Sequence, residues 1–401
     1  MNPLKKVYCR CFQLAFKLAI PLMPYRKPRI LPAISDCAEE LAGLGITSVL
    51  LVTDSFLRTS GATAALENAL AERGIACHVY DGTQPNPTVQ NVAEATERYR
   101  DGGCQALVAF GGGSSMDCAK ATGACVVYPG RSLARMKGLL RVLRPLPPLV
   151  AIPTTAGTGS EVTVTAVITD PEKRHKYTMN NFTMIPRYAV LDPTITYSLP
   201  PQLTATTGMD ALTHAVEAFI GGSTTSETRQ MALEAIRLIF GNIRAAYTDG
   251  SNHAARESML QAAYKAGVAF TISYVGYIHA VAHSLGGRYN IPHGLANSVL
   301  LPVVLERYGT AVHRKLRQLA LAAEVCRESD SAETASKKFI QAIRELNTAM
   351  GIPQKFDVIK EQDIPQMARY ADREANPLYP VPVLMDRAEL EELYRAVMGR
   401  T

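Results

Sequence analysis

Eight histidines occur in the 401-residue chain, and His279, His283 and His293 fall in one stretch, GYIHAVAHSLGGRYNIPHGLAN. Upstream, GMDALTHAVEA sets Asp210 and His214 four residues apart, with Glu217 three further on. At helical spacing these three share one face, and an Asp and a His one turn apart can bind one ion together. His279 and His283 form a second i, i+4 pair, while His293 follows Pro292 on a loop or at a helix start. A mixed carboxylate and imidazole set suits Fe(II), Zn(II), Mn(II) or Co(II) rather than Ca(II) or Mg(II). Burying several imidazoles among apolar neighbours, with neither a metal nor partners, would be costly. The residues therefore point to a metal site. Spacing alone leaves Asp210, His214, His279, His283 and His293 all open as ligands.

A second set of residues suits an anionic ligand. The apolar run at 106–110 (ALVAF) leads directly into Gly111, Gly112, Gly113, Ser114 and Ser115, and a helical pattern follows over 116–125. A glycine turn between strand and helix lets the backbone approach a phosphate, and the helix N-terminus offers unpaired N–H groups. The spacing is not the G-x-G-x-x-G of the usual dinucleotide fingerprint. A second small-residue loop, TTAGTGSE, follows Pro153. Two such loops at the ends of buried strands favour a bound ligand over two plain turns. Asp54 closes the run SVLLVTD. A carboxylate there either accepts from a ribose diol and repels a 2′-phosphate, or caps a helix.

The elements that must position these residues divide the chain. Residues 48–53, 76–80, 106–110, 149–153 and 189–192 read as strands, and 61–73, 91–101 and 116–125 as helices. Strands alternating with helices imply βαβ units and a mainly parallel sheet. Beyond about Leu199 strand signals stop, and long amphipathic stretches such as 226–246 and 254–282 predict an all-helical second half. The boundary is placed in LDPTITYSLPP, which carries three prolines, giving an α/β nucleotide-binding domain over 1–197 and a helical metal-binding domain over 198–401.

Composition is that of a globular protein, with 47% hydrophobic and 19% charged residues, enough to bury a large core. The net charge of +6 is modest and mostly interspersed, which argues against nucleic-acid binding. Eight scattered cysteines, none in a CxxC pair, fit reduced thiols in a cytoplasm. The basic and apolar start over 1–30 resembles a signal peptide, but Lys17 and Pro21 interrupt it and no small-residue cleavage site follows. The apolar run is too short to span a bilayer, so a helix docked on the protein body is preferred to a peripheral membrane contact.

Taken together, GGGSSMDCAK, PTTAGTGSEVT, GMDALTHAVEA and HAVAHSLGGRYNIPHGLAN resemble the iron-dependent (group III) alcohol dehydrogenase family over roughly residues 45 to 305. The resemblance implies an α/β nucleotide domain followed by a helical domain, with the active site in the cleft between them. It implies Asp210, His214, His279 and His293 as the metal ligands, with Fe(II) the expected ion and Zn(II) or another divalent metal an alternative. His283 would then lie near the nicotinamide as a proton relay. For the cofactor it implies NAD, held by Asp54, Asn86, Gly112, Gly113, Ser114, Thr154, Thr155, Thr163 and Lys176. The reaction implied is hydride transfer between a primary alcohol or diol and NAD, with Phe270 a candidate wall of the substrate pocket. A glycerol-type polyol dehydrogenase is the nearest alternative and a dehydroquinate-synthase-like lyase a more distant one. Relatives of this kind imply a homodimer or larger homo-oligomer. Ser284 stands where the family usually has proline, and the family's substrate-loop sequence is not clear near residues 373–380.

Overall fold

The apolar runs of the first half are strands, and their side chains alternate between two cores. In the computed structural model, which describes residues 1–171 and 175–399, the strands in chain order are β1 (Arg29–Leu31), β2 (Ser48–Val52), β3 (Ala76–Tyr80), β4 (Ala106–Gly111), β5 (Gly138–Leu139), β6 (Leu149–Pro153), β7 (Thr165–Asp170), β8 (His175–Asn180) and β9 (Tyr188–Val190). Six of them form a sheet in the order β1-β9-β6-β4-β2-β3, with every pairing parallel. Leu50, Val52, Leu107 and Ala109 join Met116 and Ala119 in one core. Val49, Leu51, Val108 and Phe110 pack in the other. Such a sheet is buried on both faces, which is why its strands read as unbroken apolar runs.

The loops of interest leave the carboxyl ends of neighbouring strands. β4 pairs with β6 so that Gly111 stands opposite Pro153, and β2 flanks β4 on its other side. A smaller three-stranded sheet, β5-β8-β7, was not expected from the strand pattern. β7 alternates half-buried and buried residues, but an apolar Val167 on the half-buried face and a polar Asp170 on the buried face disguise the period. β1 is three residues long and lies at the sheet edge, too short for any pattern to show.

The second half contains no strand among the described residues, as expected. One correction concerns residues 254–282, read above as a single amphipathic stretch. They belong to two helices, His253–Ser273 and Tyr277–Tyr289, set at 103° to one another. The break runs through Tyr274, whose φ is +64°, and ends at Gly276, the N-cap of the second helix.

The chain forms two compact units, Pro24–Ser198 and a second made of Met1–Met23 with Leu199–Thr401. The chain passes from one unit to the other between Ser198 and Leu199. The assignment of the N-terminal segment to the α/β domain, however, needs correcting. Helix Pro3–Ala19 packs with the helical unit, because Lys5 pairs with Asp372 and Gln13 donates to the Tyr379 carbonyl. Among the described residues no single helix is long and apolar enough to cross a membrane.

Candidate metal centre and cofactor loops

Helix Pro201–Ile220 carries Asp210, His214 and Glu217 on one face, all buried. Helix Tyr277–Tyr289 supplies His279 and His283, and His293 is the first residue of helix His293–Tyr308. The two flanking helices meet the first at glycines. A Cβ on Gly294 would stand 2.4 Å from the Thr206 carbonyl oxygen, so only glycine lets the turn after His293 lie against helix Pro201–Ile220. A Cβ on Gly276 would stand 2.7 Å from Glu217 Oε1.

One donor atom from each of Asp210, His214, His279 and His293 lies within 4.8 Å of every other. Asp210 Oδ1 is 3.5 Å from His293 Nε2 and 4.0 Å from His279 Nε2. Ligands held about 2.0–2.2 Å from one ion stand roughly 3–4 Å apart, so the cluster has the dimensions of a single-ion site. Asn297 Nδ2 lies 2.7 Å from Asp210 Oδ1, 3.2 Å from His279 Nε2 and 3.1 Å from His293 Nε2. An amide has two hydrogens for these three neighbours. Its own Oδ1 is buried without a hydrogen-bond partner among the described residues. The set is short of positive charge, and a divalent transition ion fits the donors present.

His279 is oriented from behind. Its Nδ1 is 2.6 Å from Glu217 Oε2, while Glu217 Oε1 accepts from the Ile278 N–H at 2.9 Å. The carboxylate thus sits at the N-terminus of helix Tyr277–Tyr289, where backbone N–H groups and the helix dipole favour negative charge. Burial opposes that charge and pushes Glu217 up to about 8, and it holds His279 well below its usual value with the other three histidines adding to the depression. The lowered value leaves His279 neutral, and with its Nδ1 on Glu217 its Nε2 faces the cluster.

Phe270 stacks on His214 with ring centroids 4.0 Å apart and planes at 14°, so it braces a candidate ligand. His283 lies beside the cluster rather than in it. It is exposed, stacks on His293 at 5.1 Å, and places Nδ1 2.6 Å from Glu374 Oε1. Glu374 Oε1 also accepts from the Tyr379 hydroxyl. The departure at Ser284 is accommodated by its hydroxyl, which bonds Tyr394 Oη at 2.6 Å and the Val281 carbonyl.

In the α/β unit, Gly112 is the N-cap of helix Gly113–Val127 and brings no capping side chain to the first-turn N–H groups. Thr155 stands against Gly112, and Thr154 N–H donates to the Gly111 carbonyl. Asn86, with φ +62°, donates its backbone N–H to Ser114 Oγ and accepts from Lys176 Nζ at 2.8 Å. Burial holds the Lys176 ammonium below its usual range. The structure thus links Asn86, Ser114 and Lys176 and sets Gly112, Gly113, Thr154 and Thr155 around adjoining loops. Asp54 follows β2 and is the N-cap of the short helix Ser55–Thr59, accepting from Leu57 N–H at 2.9 Å. Thr163 is buried, and its hydroxyl meets Lys120 Nζ at 2.8 Å.

Two family descriptions match the chain, "Iron-containing alcohol dehydrogenase" over residues 32–193 and "Fe-containing alcohol dehydrogenase family, C-terminal" over 204–398. The 1,3-propanediol dehydrogenase of Citrobacter freundii is 40% identical over 367 residues, spanning 90% of this chain and 94% of that protein. The chain belongs to the iron-containing alcohol dehydrogenase family. A crystal structure of 1,3-propanediol oxidoreductase superposes with a TM-score of 0.90 at 39% identity, covering 93% of this chain and 99% of that one. Sulfoacetaldehyde reductase from Bifidobacterium kashiwanohense, in complex with NAD+, superposes with a TM-score of 0.83 at 28% identity, covering 94% and 99%.

Several groups in this dehydrogenase fold escaped the reading of motifs. Asn297 is one turn beyond His293, a spacing that could have suggested it. Glu374 is ninety-one residues from His283 and gave no local signal. Lys120 is fully buried and donates to the Ser160 and Thr163 hydroxyls and to the Ser160, Thr163 and Thr165 carbonyls, at 2.7 to 3.2 Å. Asp117, one turn before it, accepts from Ser160 Oγ and Val167 N–H. Burial lowers Lys120 to about 8 and raises Glu161, in the same loop, to about 7.

Proposed function

We propose that this chain catalyses reversible hydride transfer between a primary alcohol or diol and the corresponding aldehyde, with NAD as the cofactor and Fe(II) or a related divalent metal at Asp210, His214, His279 and His293. The observation that carries the reading is the convergence of those four donors within 4.8 Å on buried helices. When bound, the ion supplies a Lewis acid toward the alcohol or aldehyde oxygen. Glu217 holds His279 in the tautomer whose Nε2 can ligate, and Phe270 keeps the His214 ring in place. Asp210 brings the one formal negative charge to the donor set, which suits a divalent cation.

The chain's own contribution to proton movement is assigned to His283. With Nδ1 held by Glu374, exchange runs through Nε2, and a histidine exposed to solvent beside the candidate ligands can pass a proton outward. The loop around Gly112, Gly113, Ser114, Thr154 and Thr155 is proposed to hold the pyrophosphate at the N-terminus of helix Gly113–Val127. Lys176 and Asn86 supply a cation and an amide beside Ser114. Asp54 still has a second carboxylate oxygen for a ribose hydroxyl, so its capping role and the preference for NAD over NADP are compatible. Thr163 is proposed to shape this loop through Lys120.

A screen of short primary alcohols, diols and aldehydes with NAD and NADP, with metal analysis of the same sample, tests the reading. Turnover that tracks divalent metal content is expected. Turnover that survives full removal of metal would refute it.

A further inference from the structure

We propose that helix Pro3–Ala19 docks the protein on an anionic lipid bilayer surface. The helix buries Cys9 and Gln13 against the body and is tied to it by polar contacts. Lys5 Nζ pairs with Asp372 at 2.8 Å, Arg10 donates to the Val381 and Pro382 carbonyls, and Gln13 donates to the Tyr379 carbonyl at 2.7 Å. Phe16 packs edge-on against Tyr274. These contacts fix the helix on the body and decide which side faces out.

The side facing out is apolar. Leu4, Val7, Tyr8, Leu14 and Leu18 are 79%, 61%, 59%, 58% and 69% exposed, and Leu22 in the following turn is 86% exposed. At 100° per residue they fall in one stripe running the length of the helix. Lone exposed apolar residues are ordinary, but a continuous stripe marks an interaction site. Lys6 and Lys17, also exposed, lie along one edge of it.

Charge decides between occupants. The helix carries no acidic residue, and with Lys5 and Arg10 engaged on the body its exposed cations beside the stripe are Lys6 and Lys17. A second copy laid with its own stripe on this one would offer Lys6 and Lys17 no acidic partner from the helix, since none precedes Asp36. An anionic bilayer instead matches both features, burying the leucines at the headgroup boundary and pairing the lysines with lipid phosphates. The helix lies flat on that surface, since Lys17 and the turn at Pro21 end the run after 17 residues.

The test is co-sedimentation of the full, metal-loaded protein with vesicles of phosphatidylcholine, alone or mixed with phosphatidylglycerol. Binding to the mixed vesicles that weakens with added salt is expected. Replacing Lys6→Ala and Lys17→Ala together should weaken binding roughly 25-fold, about fivefold for each cation, which corresponds to about 1 kcal/mol apiece. Leu14→Glu with Leu18→Glu should abolish it while thermal unfolding and solution turnover stay unchanged. The proposal fails if the wild-type protein does not sediment with the mixed vesicles, or if the double glutamate variant sediments equally well. It also fails if that variant instead reduces the mass of a soluble oligomer with no vesicle binding by either protein, which would assign the stripe to a contact between copies.

Discussion

Replacing Glu217→Gln removes little volume and leaves the fold's contacts in place, yet it should cripple the metal centre. Both carboxylate oxygens are in use, Oε1 accepting from the Ile278 N–H at 2.9 Å and Oε2 meeting His279 Nδ1 at 2.6 Å. A glutamine has one acceptor oxygen for these two donors. If its oxygen stays on Ile278, its NH2 faces His279 and turns Nδ1 into the acceptor, which moves the ring proton to Nε2 where the ion would bind. If its oxygen turns to His279, its NH2 faces the Ile278 N–H, and a buried donor loses its partner. Either outcome costs about 1–3 kcal/mol, or roughly 5- to 150-fold in binding. That range overlaps the roughly 10- to 100-fold loss that follows disruption of a ligand's supporting hydrogen bond. Competition against a fluorescent chelator, with Zn(II) and anaerobically with Fe(II), measures the change directly. NAD affinity, read from cofactor fluorescence, should be unaltered. A folded variant with wild-type metal affinity would show that Glu217 does not set the His279 tautomer, and the orientation argument would be wrong.

The remaining expectations concern one ligand and two charged groups of the α/β unit. His279→Ala should lose metal retention and turnover while NAD binding largely survives, and a normal metal content by elemental analysis would remove His279 from the ligand set. Asp54→Gly should raise NADP use relative to NAD, compared as kcat/KM ratios, at a stability cost of only a few tenths of a kcal/mol because glycine is a fair N-cap. Glu161 is raised from 4.5 to about 7 by burial, so the folded state binds its proton more tightly than the unfolded state does. Its stabilising effect is therefore complete below about pH 4.5 and fades as pH rises toward 7, by at most about 3 kcal/mol. Chemical denaturation across that window should show a decline in the wild type that Glu161→Gln flattens.

The parts legible in the sequence are those written in local patterns. β2, β4 and β6 were readable because strands buried on both faces are continuous apolar runs. Asp210 and His214 announced themselves by helical spacing, but which of His279, His283 and His293 joins them was not decided by spacing. Two of the three are one turn apart on the same helix, and the choice depends on a 103° bend that the amphipathic pattern runs straight through. That bend was invisible because Tyr274 to Gly276 interrupt the helical period for less than one turn. The dual identity of Asp54 was also legible only as a choice, and the structure shows the capping half of it without excluding the other. Helix Pro3–Ala19 was readable as a helix but not as a member of the helical unit, since its attachment rests on residues more than 360 positions away.

What the motifs contained without revealing its role is a pair of buried ionisable groups, Lys120 and Glu217, that support the two sites and act on the same physical terms with opposite sign. Lys120 places an ammonium among five oxygens of the loop that follows β6, and Glu217 places a carboxyl against the first turn of the helix that carries His279. Each converts several weak backbone or hydroxyl dipoles into one arrangement, because moving any of them leaves a buried charge poorly solvated. Burial acts against each charge, lowering Lys120 to about 8 and raising Glu217 to about 8. Neither group has to meet substrate to matter. A loop of threonines and glycines has little side-chain packing to define its shape, and an imidazole has two nitrogens that compete for one proton, so each needs a charged group behind it to select one state. The ligands and loops can be read as motifs because their chemistry is local, whereas these supporting charges are distant in sequence from much of what they hold.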